Sequence, residues 1–317
     1  MKYKKTIIDI LVIASAFLIF IIWNRTYLKN TIQTTTLPSA KNYDIYLITT
    51  DKQDEFWQYL NNGAADMAAL TGVNYYWRYP DERNPQKQIQ VINEAINNGA
   101  NALLIAADDT KKISGVVEDA KAKGIAVVYV DAPANEEAVT TLSTDNHKAG
   151  FVAGQKMITN LKNSGIESGS IGILSFKDRI TETQREAGFR EAFIKNPEYE
   201  ILSTVNTQGK PYTSQLGAEK LITDNENLVG LFGTNEGISV GLGAANKAHD
   251  NKIFSIGFDK SIATKKLYDE GSLSIIIEQN PYTMGYVGMA EAIAAILGKN
   301  TGPSYFDTGF SVLEPNN

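Results

Sequence analysis

Short apolar runs alternate with helix-period segments along most of the chain, and Gly, Pro, Asn and Asp punctuate the joins. Ile45-Tyr-Leu-Ile-Thr-Thr50 predicts a first strand, and the periodic stretch after it predicts a helix over 56–70. Asn84-Pro85 opens a second helix with Ile89, Ile92 and Ile96 on one face, closed by Gly99. A strand over 102–106, a helix near 111–123 closed by Gly124, and a strand over 125–130 repeat the unit. This is a βαβαβ half, whose crossovers force a parallel sheet.

The rhythm resumes after Thr144-Asp145-Asn146, with helices near 147–162, 182–195, 212–223 and 237–248. Strands at 170–176, 201–205, 228–232 and 253–258 alternate with them. The last third adds a strand over 273–278, a helix near 283–298 and a final strand near 310–313. The pattern predicts an α/β protein of two doubly wound parallel-sheet lobes with a cleft between them.

The first residues follow a different pattern. Lys2, Lys4 and Lys5 precede an apolar segment from Ile7 to Trp23, broken only by Asp9 and Ser15. The shortest membrane-spanning helices are of this length, about 17 residues. Ile19-Phe-Ile-Ile-Trp23 runs straight into Asn24-Arg25 with no small-residue cleavage site, and Ala14-Ser-Ala16 sits inside the apolar run. The expectation is one uncleaved N-terminal transmembrane helix, an anchor over 1–25. The leading lysines place its N-terminus inside, so the body stands outside the membrane. Residues 26–41 read as a tether, and the body begins near Asn42.

A net charge of -6 without a basic stripe argues against nucleic acid. The chain has no cysteine, which excludes disulfides, thiolate metal sites, cysteine nucleophiles and lipid attachment through a thiol. No phosphate loop or nicotinamide fingerprint is present, and neither a cofactor nor a metal is expected.

Charged and amide residues stand instead at the ends of the apolar runs. Asp51 and Asp54 follow the first, Asp108 the run Ala102-Leu-Leu-Ile-Ala106, and Asp131 the run Ile125-Ala-Val-Val-Tyr-Val130. Asn235 follows Leu228-Val-Gly-Leu-Phe232, and Asp259 follows Ile253-Phe-Ser-Ile-Gly-Phe258. The carboxyl ends of strands in an open parallel sheet line one crevice, so these side chains converge there. Carboxylates and amides without clustered histidine suit a polyhydroxylated neutral ligand. A sugar ring has apolar C–H faces and a belt of hydroxyls; Phe56 and Trp57 offer flat surfaces, and Arg185, Asn235 and Gln279 add donors to the carboxylate acceptors.

Blander roles compete at each position. Phe56 and Trp57 open a helix and can be core residues; Asp131 and Asp259 can cap following helices. Asp145 reads as a cap, and Arg185 can pair with Glu182 or Glu186 on one helix face. Catalysis finds little support. Gly237-Ile-Ser-Val-Gly241 has the hydrolase elbow spacing, but Ser239 falls inside a helix, and His249 at the end of that helix lies about 15 Å away at 1.5 Å per residue. Carboxylates on both lobes look like hydroxyl binding rather than a glycosidase pair. The chain is not expected to be an enzyme.

Several landmarks occur in order: Thr50-Asp-Lys-Gln-Asp-Glu-Phe-Trp57, Asn84-Pro85, Asp131, Asp145-Asn146, Arg185-Glu-Ala-Gly-Phe189, Asn235-Glu236, Gly257-Phe-Asp259 and Gln279-Asn-Pro281. With these the body, from about 43 to 313, resembles the type I periplasmic sugar-binding proteins of the ribose, galactose and xylose class. The resemblance implies a hinge of three crossovers near 144, 279 and 308. One lobe would span 42–144 plus 280–308 and the other 145–279 plus 309–317. It aligns Thr50, Gln53, Phe56, Trp57, Asp131, Arg185, Asn235, Asp259 and Gln279 with family ligand contacts. Asp51, Asp54 and Asp108 join them on strand-end position alone.

Departures from the family are Ala106 where ribose binders have Asn, Ala132 where they have Arg, and Gly209-Lys210 near a stacking aromatic, with Tyr212 as a substitute. A pentose is favoured, D-xylose first. The membrane segment occupies the place of a repressor's helix-turn-helix, and an anchored binder resembles the sugar-binding partners of two-component sensor histidine kinases. The alternative partner is the permease of a sugar ABC transporter.

Overall fold

The computed structural model describes residues 42–315, so the expected anchor over 1–25 and tether over 26–41 lie outside the described residues. Among the described residues no helix is long and apolar enough to cross a membrane.

The first half runs β1 (Asp44–Ile48), α1 (Glu55–Thr71), β2 (Asn74–Arg78), α2 (Pro85–Asn97), β3 (Ala102–Ile105), α3 (Ser114–Ala122), β4 (Ala126–Val130) and β5 (Thr141–Ser143). The second runs α4 (Asn146–Asn163), β6 (Gly169–Ser175), α5 (Ile180–Ala192), β7 (Tyr199–Ile201), β8 (Val205–Asn206), α6 (Pro211–Asp224), β9 (Leu228–Gly233) and α7 (Glu236–Ala248). It continues through β10 (Phe254–Phe258), α8 (Ile262–Asp269) and β11 (Ile275–Gln279). The chain ends with α9 (Pro281–Ile296), β12 (Tyr305–Asp307) and β13 (Phe310–Leu313).

Two sheets result. One has the order β2-β1-β3-β4-β5-β12 and is parallel throughout. The other has the order β7-β6-β9-β10-β11-β13, with β8 also on β6, and is parallel except for β13, which runs antiparallel to β11. We call each sheet with its helices a lobe. The chain passes between the sheets after β5, between β11 and α9, and between β12 and β13. The passes are bonded to one another: the Asp145 amide donates to Asp307 Oδ1 at 3.1 Å, and Asn280 Nδ2 donates to the Thr308 carbonyl at 2.7 Å.

Helices cover both faces of each sheet, which is why the central strands are apolar on both sides. In the first lobe α2 and α3 close a core of Ile92, Ile96 and Val117 over Tyr46, Ile48, Leu103, Ile105 and Tyr129. On the opposite face α1 and α9 pack closely because Gly63 lies against the Tyr282 backbone and Gly285 against the Leu60 carbonyl. In the second lobe Met157, Phe189 and Phe193 pack with Phe232 and Phe258 on one face, and Leu221, Leu242 and Ala245 with Leu231 and Ile276 on the other.

Some elements differ from the sequence expectation. The strand over 201–205 is two short strands, β7 and β8. Strand β2, Asn-Tyr-Tyr-Trp-Arg, is a half-exposed edge strand without an aliphatic residue, so it lacks the expected apolar run. Strands β5 and β12 have three residues each and α8 has eight, too short for periodicity to mark.

Candidate functional site

In both sheets the strand order reverses direction beside the first strand of the lobe, between β1 and β3 and between β6 and β9. Ligands of doubly wound sheets bind at such switch points, beyond the carboxyl ends of the strands. Gln88 fixes this edge in the first lobe: its amide donates to the Ala106 carbonyl at 2.8 Å and to the Thr49 carbonyl at 3.3 Å, and its oxygen accepts from the Asp108 amide at 2.8 Å.

Facing side chains of the two lobes enclose a cavity lined by Asp54, Phe56, Trp57, Arg83, Asp131, Arg179, Thr181, Glu182, Arg185, Asn235, Asp259 and Gln279. Its volume is about 30 Å³, far below the roughly 300 Å³ at which small-ligand pockets begin. A larger ligand enters only if the lobes part or the arginines turn aside.

From the first lobe, Phe56 and Trp57 meet edge to face, with ring centroids 4.9 Å apart. Both are buried, and Trp57 Nε1 has no hydrogen-bond partner. The loop between β2 and α2 delivers Arg83, which forms ion pairs with both Asp51 and Asp54. Asp51 also accepts from the Gln53 amide at 2.7 Å and from Thr50 Oγ1 at 3.1 Å. Burial alone would raise its carboxyl, but Arg83 and these hydrogen bonds hold it below the usual range. For Asp54 burial prevails over the pull of Arg83, and its carboxyl is raised.

The second lobe contributes a connected polar set. Arg185 lies over the Phe258 ring at 4.1 Å and donates to Asn146 Oδ1 and the Thr234 carbonyl, each at 2.7 Å. Close packing of α4 on α5 sets its position: a Cβ at Gly150 would stand 1.9 Å from the Arg185 carbonyl, and one at Gly188 1.9 Å from that of His147. Asn235 caps α7 by accepting from the Ile238 amide at 3.0 Å, and its Nδ2 donates to Glu182 Oε1 at 3.0 Å. Burial would raise Glu182, but Arg179 and Arg185 keep it below the usual carboxylate range.

Asp131 and Asp259 occupy equivalent places, just past β4 and β10, with left-handed φ angles of 66° and 67°. Each amide donates across to the neighbouring strand at 2.8 Å, to Leu142 and Ile277 respectively. Asp tolerates this backbone region better than most residues, and such strain concentrates at functional sites. Burial pushes Asp131 up to about 7, with Arg185 opposing and Glu182 and Asp259 adding to the rise. Burial likewise pushes Asp259 up to about 6, against Arg185 and the 2.7 Å hydrogen bond from Gln279 Nε2.

Neither aspartate caps a helix. Ser261 and Thr264 form the capping box of α8, whereas Asp145 caps α4. Arg185 makes no pair with Glu186, which bonds Arg190.

Across the cleft, away from the passes, side chains of one lobe also reach the other. Arg179 pairs with Asp108, both nearly buried. Glu236 accepts from the Glu55 and Phe56 amides at 3.2 and 3.1 Å, at the start of α1. Glu55 accepts from the Ile262 amide at 3.2 Å, at the start of α8. Each lobe thus places a carboxylate on a helix N-terminus of the other, where unpaired amides and the helix dipole favour negative charge. Burial pushes Glu236 up to about 8, and the charges of Asp54 and Asp259 add to it.

Of the residues singled out in the sequence, Asp54, Phe56, Trp57, Asp131, Arg185, Asn235, Asp259 and Gln279 line the cavity. Thr50, Asp51 and Gln53 stand behind Arg83, and Asp108 is held by Arg179. Tyr212 is exposed and lies off the cavity lining, while Phe176 lies beneath the Arg179 guanidinium. Arg83, Arg179, Thr181 and Glu182 line the cavity without having been anticipated. The strand-end rule would have found Arg83 had β2 been recognised, and Arg179 had it been applied to the loop after β6. Among the described residues no group of three or more histidine or acidic side chains is arranged to hold a metal ion.

Residues 45–300 match the periplasmic binding protein domain family. The ribose import binding protein of Escherichia coli K12 is 23% identical over 82% of this chain and 87% of its own length. The D-allose-binding periplasmic protein of the same organism is 24% identical over 79% and 83%. A carbohydrate transporter solute binding protein from Agrobacterium radiobacter, solved in complex with D-arabinose, superposes with a TM-score of 0.82 at 25% identity, covering 86% of this chain and 94% of that one. These relatives are binding proteins, not enzymes. The chain belongs to the periplasmic binding protein family, with the type I fold of its sugar-binding members.

Proposed function

We propose that this protein is an extracytoplasmic monosaccharide-binding protein that closes its lobes on a pentose, D-xylose first, and reports the closed state to a sensor histidine kinase of a two-component system. The observation that carries the sugar reading is the interlobe cavity, where an aromatic pair, Phe56 and Trp57, faces Asp131, Arg185, Asn235, Asp259 and Gln279. Flat apolar surface beside paired donors and acceptors matches the two chemical faces of a sugar. The ribose, allose and arabinose in the names of the relatives support that class of ligand.

Closure would act about the three passes near 144, 279 and 308, between a lobe of 42–144 plus 280–308 and one of 145–279 plus 309–317. The kinase reading rests on the apolar N-terminal segment, which would keep the body at the membrane beside a fixed neighbour. A second reading, delivery of sugar to an ABC transporter permease, is favoured by the import and transporter roles in the relatives' names.

Calorimetric titration of the full chain in detergent with xylose, ribose, arabinose, glucose and galactose tests the first step. Micromolar affinity, about 8 kcal/mol of standard free energy, is expected for one pentose. Silence with all five sugars would remove the sugar reading. Co-reconstitution with a candidate kinase then separates the partners: a ligand shifts an equilibrium only if it distinguishes its two states, so sugar must alter affinity for, or activity of, the kinase.

A further inference from the structure

A second cavity, of about 230 Å³, opens beside the central one at the α1 and α9 end of the cleft. It shares Phe56, Asp259 and Gln279 with the central cavity, so the two are neighbours with those three side chains standing between them. Its outer walls are Tyr59 and Tyr282, both among the exposed large apolar side chains. Its volume approaches the lower end of small-ligand pockets, about 300 Å³.

The lining repeats the chemistry of the central site with different residues. Tyr59, Tyr282 and Phe56 give aromatic surface, and at the rim Lys260 and Glu278 pair at 3.2 Å, presenting a donor and an acceptor. At the junction, Gln279 is buried at 4% exposure, and its Oε1 has no hydrogen-bond partner although its Nε2 is bonded to Asp259. A buried amide oxygen without a donor is costly unless a ligand or water supplies one. The oxygen itself is covered, so a ligand hydroxyl between the two cavities would supply that donor once the side chains that part them move aside.

We propose that this cavity is a second saccharide subsite, so that the protein takes a disaccharide with one unit in the central cavity and the next between Tyr59 and Tyr282. The inference rests on the sugar reading of the central cavity. Phe56 lines both cavities and would serve both rings, and Gln279 Oε1 would accept from a hydroxyl beside the linkage. The Lys260–Glu278 pair would bond the outer hydroxyls.

The test is calorimetry on the full chain in detergent, with xylose against xylobiose, arabinose against arabinobiose, glucose against cellobiose and galactose against lactose. One disaccharide is expected to bind about tenfold or more tightly than its monosaccharide, a gain of about 1.4 kcal/mol. Tyr59→Ala should return it to the monosaccharide level while leaving the monosaccharide affinity unchanged. Lys260→Ala should remove a smaller part of the gain without touching the α1 and α9 packing.

Disaccharides no tighter than the matching monosaccharides would overturn the subsite and leave the sugar reading standing. So would a fall in monosaccharide affinity in Tyr59→Ala, which would make this cavity the berth of the single ring. Silence with every monosaccharide and disaccharide would remove the sugar reading and the subsite together.

Discussion

The two lobes share a sheet order and an equivalently placed left-handed aspartate, Asp131 in one and Asp259 in the other, yet they bring different chemistry to the cleft. The first lobe offers aromatic surface, with its Asp51 and Asp54 carboxylates tied to Arg83 at the edge. The second offers a polar network in which Arg185, Asn146, Asn235, Glu182 and the Thr234 carbonyl hold one another. The first face supplies contact area, which is tolerant of a ring's orientation; the second supplies directed hydrogen bonds, which are not. A network complete within one lobe stays organised when the cleft opens, which lowers the ordering cost of binding.

The comparison breaks most readily at Arg185. Arg185→Ala leaves Asp131 and Asp259 without the cation that most opposes their burial and removes one of the two beside Glu182, and loss of one partner from a buried charge set costs about 3–5 kcal/mol. Urea denaturation should register that loss, and sugar binding should vanish. Stability equal to the parent would mean that the second lobe does not depend on its own network.

Asp259→Asn sharpens the contrast between stability and binding. The amide keeps the shape but removes a charge that Asp54 and Glu182 repel, so stability at pH 8 should hold or rise. Affinity should fall about tenfold to a hundredfold with the loss of charge-assisted bonds, worth about 1.5–3 kcal/mol each. Unchanged affinity would place Asp259 outside the ligand contacts. Trp57→Phe keeps the aromatic surface and removes the unpartnered Nε1 donor, so a loss of up to about tenfold is expected, one neutral hydrogen bond. Full affinity would leave the first lobe with apolar contacts alone at this position.

The pH profile weighs the raised carboxylates against the lowered ones. In the unfolded chain Asp and Glu titrate near about 4, whereas the folded values of Glu236, Asp131 and Asp259 are about 8, 7 and 6. Between these limits the folded protein binds more protons, so stability falls as pH rises through that window. Asp51 and Glu182 are lowered, so their contribution is present above about 4 and lost as pH falls further. Urea midpoints should therefore be highest near about pH 5 and lower at both extremes. A profile that climbs steadily from pH 5 to 8.5 would count against buried, under-neutralised carboxylates in the cleft.

The smallest effect concerns the reciprocal contacts between lobes. Glu55→Gln weakens only the cap on α8, and exposed charge–dipole contacts contribute about 0.3–1 kcal/mol. Small-angle scattering of the sugar-free protein should show a slight shift toward open forms. A larger shift than that of Asp108→Asn would reverse the expected ranking, because the Arg179–Asp108 pair is far more buried.

Much of this architecture was legible in the chain. Apolar runs such as Ile45-Tyr-Leu-Ile and Ile253-Phe-Ser-Ile announce central strands because both faces of those strands are covered by helices. Strand-end position then located Asp54, Asp131, Asn235 and Asp259, since a parallel sheet sends all its carboxyl ends to one edge. The edge strand β2 escaped because half-exposed aromatics lack an aliphatic run, and Arg83 escaped with it.

The sequence by itself determined the order of the central strands and long helices, the absence of thiol chemistry and the strand ends at which polar groups gather. Only the tertiary structure decided which of those groups face the cavity and which are held by a neighbour: Asp131 lines it, whereas Asp51 is turned onto Arg83 and Asp108 is held across the cleft by Arg179. The physical reason is range. Strand periodicity is fixed by local backbone geometry, but a salt bridge such as Arg179–Asp108 forms between residues 71 positions apart, and nothing near either one in the chain records the partner.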